Sequence, residues 1–337
     1  MRAILIAALP CAASFVLSCT PAQLSDADTK QLTILRAKAE KGDAQAQSKL
    51  ADAYFVGSLG LAKNEVEVVK WLRKAAAQNL AIAQLNLGNC YYKGQGVDKD
   101  IAEAMKWYRK AAEQNNPQAQ YSLGVGYRDG QGLPKDEGEM VKWYRRAAEQ
   151  NYADAQYNLG VCYANGQGVE KYEREAVKWY RKAAEQNHPA AQSNLGTCYA
   201  NGQGVEKDEQ EAVKLYRKAA EQNWAPAQYN LGDDYLLGQG VEKDEAEAVK
   251  LFRKAAEQNL AEAQFKLGLC LAFGRGVAQD YVEAYAWNAL SARSDQSATK
   301  LRDDLGKVMS PEQIAAGYKR TKELRAGIEA KLKSTGK

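Results

Sequence analysis

Residues 155–187 read AQYNLGVCYANGQGVEKYEREAVKWYRKAAEQN, and residues 191–223 repeat them as AQSNLGTCYANGQGVEKDEQEAVKLYRKAAEQN. Leu-Gly recurs at Leu87-Gly88, Leu123-Gly124, Leu159-Gly160, Leu195-Gly196, Leu231-Gly232 and Leu267-Gly268, with a constant spacing of 36. Ala-Gln keeps step from Ala83-Gln84 to Ala263-Gln264, and a looser copy starts at Ala46-Gln47 with Leu50. Seven units therefore fill roughly residues 37–290. A unit of this length cannot bury a core alone, so neighbours must stack into a continuous one.

Each unit holds two helical stripes. Ala119, Leu123 and Tyr127 fall at i, i+4, i+8 on a first helix; Ala104, Trp107, Tyr108, Ala111 and Ala112 form the stripe of a second. Loops such as Gly130-Gln131-Gly132-Leu133 join first helix to second, with glycine as a left-handed cap. Second helices end at Asn115, Asn151, Asn187, Asn223 and Asn259, asparagine being next best for that conformation. Gly124 and Ala111 allow close helix approach, with Trp107 or Tyr108 filling the space beside them.

Ala155-Gln156, Leu159-Gly160, Tyr163, Gly166, Gly168-Val169, Ala176, Trp179-Tyr180 and Lys182-Ala183-Ala184 together resemble the Sel-one-like repeat family, relatives of tetratricopeptide repeats. The resemblance covers about three quarters of the chain. It implies an all-α fold, a right-handed α/α superhelical solenoid of about seven 36-residue helix pairs with a C-terminal capping helix. The first unit departs in its loop, where Gly57-Ser58-Leu59-Gly60 carries an extra residue, and the last departs at Trp287-Asn288. Both suit capping units. Some relatives are rich in cysteine and bridge successive helices. The matching positions here are Ala112 with Gln120 and Ala148 with Gln156, so the β-lactam binding suggested for that branch is not carried over.

The chain's 337 residues are 45% apolar and 26% charged, which excludes a disordered polyelectrolyte. Lys+Arg 46 against Asp+Glu 42 leaves +4, too weak a bias to argue for nucleic acid. Residues 1–18 read as a signal peptide, with Arg2 ahead of an apolar stretch too short to span a membrane comfortably. Val16-Leu17-Ser18-Cys19 resembles a bacterial lipobox, which implies acyl chains on Cys19 and an outer-membrane anchor in the periplasm. The alternative is an ordinary signal cut a few residues later. Residues 19–30 read as a polar tether, 31–290 as the solenoid and 291–337 as a helical cap.

In the cap, Ser310-Pro311-Glu312-Gln313 opens a helix to about residue 332. Eleven basic against six acidic residues give this tail +5. That excess suits a solvated cap or a contact with anionic headgroups or an acidic partner.

Nothing in the sequence assembles a nucleophile, base and orienting group. Metal and cofactor sites are not expected, and the reading is non-enzymatic. His188, the single histidine, reads as a loop residue, and carboxylates such as Asp208, Glu209 and Glu211 read as helix starts. Cys90, Cys162, Cys198 and Cys270 share one repeat position with Gly126 and Asp234, which reads as a row of buried thiols rather than bridges.

The resemblance places first helices along a concave groove. There Tyr92, Tyr121, Arg128, Tyr157, Tyr229, Asp233 and Phe265 are the candidate partner-binding residues, unless the tyrosines only pack between neighbouring first helices. The recurring Asn86, Asn158, Asn194 and Asn230 read as structural. The expected function is a scaffold holding an envelope protein or peptide. The alternative is a glycan or peptidoglycan binder whose tyrosines stack on sugar.

Overall fold

A computed structural model describes residues 25–292 and 295–335. The signal peptide and Cys19 lie outside the described residues. Among those described there are seventeen helices and no strand. They fall into two compact units, one ending at Asp100 and one beginning at Ile101.

The first unit holds α1 (Asp26–Glu40), α2 (Ala44–Val56), α3 (Glu65–Ala77) and α4 (Ala81–Lys93). Helix α1 starts inside the stretch read as a tether, because Ser25 caps it by accepting the Asp28 N–H. Residues 26–30 are thus helical. The irregular first loop stays compact with three left-handed residues, Gly57, Leu59 and Gly60.

The second unit holds α5 (Ile101–Glu113), α6 (Pro117–Asp129), α7 (Glu137–Glu149), α8 (Ala153–Asn165), α9 (Glu173–Glu185), α10 (Pro189–Asn201), α11 (Glu209–Glu221), α12 (Ala225–Leu237), α13 (Glu245–Ala256), α14 (Ala261–Phe273), α15 (Tyr281–Ser291), α16 (Gln296–Val308) and α17 (Pro311–Thr335). Each helix packs on the next in chain order along the repeats, the first helices being α6, α8, α10, α12 and α14.

Both expected left-handed caps are present. Gly166 and Gly202 take φ of 70° and 69°, and Asn151 and Asn187 take 66° and 60°. The glycine caps close as Schellman turns, with Gln203 N–H reaching Cys198 C=O at 2.9 Å. The small first-helix glycine has a different partner from the one expected. A Cβ on Gly124 would lie 2.4 Å from the ring of Tyr144, in the following second helix, so Tyr144 fills the space in place of Tyr108. Gly160 meets Tyr180 and Gly196 meets Tyr216 in the same way.

The buried glutamine of each Ala-Gln pair ties three helices. Gln156 Nε2 donates to Ala148 C=O of α7 at 3.1 Å, and its Oε1 accepts from Gln186, just past α9, at 2.7 Å. Gln192 and Gln222 repeat the arrangement. In the first unit Gln47 bonds Ala39 C=O, so α1 takes the place of a preceding second helix.

Second helices are N-capped by Asp136, Asp208, Asp244 and Asp280, each accepting the N–H three residues on. Tyr172 holds that position in α9, gives no side-chain cap and is 51% exposed. Tyr172→Asp is expected to stabilise the chain by about 1 kcal/mol, read as a shifted urea midpoint with unchanged slope.

Cys90, Cys162, Cys198 and Cys270 are free and buried. Burial pushes the Cys162, Cys198 and Cys270 thiols up to about 11, so they stay protonated and unreactive at neutral pH.

The repeat ends where Asn288 replaces the second-helix aromatic and packs on Gly268. The tail adds a helix that the sequence reading lacked, α16, before the expected α17. The latter opens with a capping box: Gln313 N–H donates to Ser310 Oγ, and Ser310 N–H to Gln313 Oε1. Gly317 lies on the ring of Tyr285, Arg320 pairs with Glu283, and Lys331 reaches Glu257 at 2.6 Å. The apolar end of the last repeat is thereby covered.

Candidate partner-binding face

In a first helix the residues around the Leu-Gly pair are committed to the core. In α8, Ala155, Gln156, Leu159, Gly160 and Cys162 are buried. What remains is a stripe formed by the residues five, two and one before the leucine and two, five and six after it. Side chains of successive first helices meet along this stripe. Lys266 of α14 donates to Asp233 of α12 at 2.8 Å, and the Asn158 amide of α8 is in bonding reach of Tyr121 of α6. The recurring asparagine thus braces neighbouring helices.

The candidate residues are spread over both units. Tyr92 lies on α4 in the first unit and is half-buried; the other six lie in the second unit. Tyr121 is half-buried and flanked by two rings, Tyr144 at 5.7 Å and Tyr152 at 5.4 Å between centroids. Tyr157 sits between Tyr180 at 6.0 Å and His188 at 4.8 Å. Tyr229 packs on Phe252 at 5.9 Å, and Phe265 is half-buried. Burial raises the hydroxyl pKa of Tyr121, Tyr157 and Tyr229, and Asp233 adds to the rise at Tyr229. Tyr121, Tyr157 and Tyr229 thus each pack on the second helix that follows, through Tyr144, Tyr180 and Phe252. Arg128 is exposed but held by Asp129 at 2.7 Å, which keeps that carboxyl below its ordinary range.

His188 is not idle in its loop. It caps α10, its Nδ1 accepting the Ala191 N–H at 3.2 Å, which leaves the proton on Nε2, 3.2 Å from Asp154. That carboxyl is held low, first by this hydrogen bond. The pair ties the start of α8 to the start of α10.

The side chains that packing leaves unused sit six after the leucine. Asn165 and Asn201 are exposed, and so are Leu237 and Phe273, both at 61%. Leu237 and Phe273 hold the same position on successive first helices, α12 and α14, and Leu236 and Leu269 on the same stripe are half-buried. The signal of this position in the sequence was the change from asparagine to Leu237 and Phe273 just before the capping glycine. Among the described residues no group of His, Cys, Asp and Glu could hold a metal ion. No described helix is long and apolar enough to cross a membrane.

Comparison with known proteins agrees with this architecture. No curated protein matches the chain. A Sel1 repeat protein from Oxalobacter formigenes is 33% identical with a TM-score of 0.65, over 82% of this chain and 80% of that one. The c5321 protein of uropathogenic Escherichia coli, a protective antigen displaying an SLR fold, is 27% identical with a TM-score of 0.53, over 91% of this chain and 90% of that one. The Sel1 repeat model matches seven times in succession, at 44–80, 81–116, 117–152, 153–188, 189–224, 225–260 and 261–295, and the chain belongs to the Sel1 repeat family.

Proposed function

We propose that this protein is a non-enzymatic scaffold of the bacterial cell envelope that holds a partner protein or peptide on the outer stripe of its first helices. Sel1 repeat proteins are generally protein-interaction scaffolds, which supports the class. The observation that carries the site is the exposure of Leu237 and Phe273. These are large apolar side chains, exposed at the same position of two successive repeats, that add nothing to the repeat core. The envelope location rests on the signal-like N-terminus and on Cys19 as the lipid-bearing residue. Sugar stacking needs free ring faces, and at Tyr121 and Tyr157 neighbouring rings flank them, so the glycan reading draws no support from this row.

The test is affinity capture from gently solubilised envelopes with wild type and with the Leu237→Glu/Phe273→Glu double variant. Both positions are exposed, so folding is expected to change by less than about 0.5 kcal/mol. Loss of a protein partner from the folded variant is the expected result. Full retention would remove both positions from the binding site.

A further inference from the structure

One residue breaks the buried row of small side chains. Asp234 occupies the position that Cys90, Cys162, Cys198 and Cys270 hold in other repeats. It is 8% exposed, and its Oδ2 is shut off from solvent with no hydrogen-bond partner. The slot is apolar: at Gly126, the same position in another repeat, a Cβ would meet Met105 at 2.7 Å and Leu133 at 3.5 Å. The residues in step around Asp234 are Val213 and Val241, both in the apolar cluster of this repeat. The charged groups acting on Asp234 are Glu209, at the start of α11, and Asp233, its neighbour on α12, both acidic. Asp233 itself is held by Lys266. Tyr216 of α11 also lies nearby, but its hydroxyl is engaged by Thr197 Oγ1 at 3.0 Å.

We propose that Asp234 makes the seam between α11 and α12 an acid-closed joint, packed like its sister seams while the carboxyl is neutral and opening locally when it ionises. The direction follows from linkage. Desolvation first, and then the two neighbouring acids, push the Asp234 carboxyl up to about 7 in the closed seam, against 3.8 when open to water. Below the lower value both states hold the proton, and the seam keeps its full stability. Between the two values the open seam gives up its proton and the closed one keeps it, so the closed-to-open ratio falls up to about tenfold per pH unit. Over the window this reaches about a thousandfold, and above it the ratio levels off. Opening frees α12 and with it Asp233, Leu236 and Leu237 on the outer stripe. The joint does not depend on what the stripe binds.

The test is amide hydrogen exchange on the full chain from pH 5 to pH 8.5, corrected for intrinsic exchange. It compares peptides of α11 and α12 with those of α7 and α8, where Cys162 fills the slot. Wild type is expected to lose at least about tenfold protection at α12 relative to α8 as pH rises from 5 to 7. Asp234→Cys, the residue four sister repeats use, is expected to flatten the profile, as is the neutral isostere Asp234→Asn. Either variant suffices for the comparison. A wild-type α12 protected like α8 at every pH, or the same slope in wild type and variants, overturns the proposal.

Discussion

Gly204→Ala is expected to disrupt the fold locally, while Gly202→Ala two residues earlier is tolerated. Both glycines are left-handed, with φ of 71° and 69°, so each substitution costs about 1–2 kcal/mol in backbone strain. Space separates them. A Cβ on Gly202 would touch nothing closer than 3.4 Å, whereas on Gly204 it would lie 2.4 Å from the backbone carbon and oxygen of Glu173, the first residue of α9. Backbone at a helix start cannot swing aside as a side-chain tip can. The loop must lift away from α9, for a total of roughly 3–5 kcal/mol. Urea melts should separate the two variants clearly. Since repeats contact mainly their neighbours, the Gly204→Ala transition should also broaden or split as the array breaks at that joint. Equal, small shifts for both would mean the loop does not rest on the neighbouring helix.

Gln156→Glu is the second large effect, and Gln156→Leu is its control. Gln156 is buried, donates to Ala148 C=O and to Asn151 Oδ1, and accepts from Gln186. Leucine removes all three bonds and leaves polar groups without them, a cost of about 2–3 kcal/mol. Glutamate is worse at neutral pH, because its charge faces the two acceptors that the amide had satisfied. About 3–5 kcal/mol is expected there. Burial favours the neutral acid, so the folded glutamate pKa would rise above its unfolded value. The extra cost over leucine should then be absent at acid pH and grow as pH rises through the unfolded pKa. A glutamate variant as stable as wild type at pH 7 would mean that the ladder is not closed to water.

Much of the fold was legible because a 36-residue period repeats every local decision. The GQG loops and the terminal asparagines each specify a left-handed conformation that glycine or asparagine adopts at low cost, the Leu-Gly pairs mark a close helix approach, and all three recur in register. The misses fall where the period stops. Helix α16 carries no repeat signature, and the start of α1 depends on one cap at Ser25. The face was harder to read than the fold. A tyrosine two before the leucine looks equally suited to a ligand or to a neighbouring ring, and the rings of Tyr144, Tyr152, Tyr180 and His188 beside Tyr121 and Tyr157 are not legible from the row alone. Leu237 and Phe273 became informative once the burial of the other rows left them over.

The scaffold reading is tested most directly by photo-cross-linking in cells, with a photoreactive residue placed in turn at Leu237 on α12 and at the exposed Lys214 on α11. A discrete protein adduct is expected from position 237 and none from position 214. Adducts from position 214 alone, or no protein adduct from either, would contradict it.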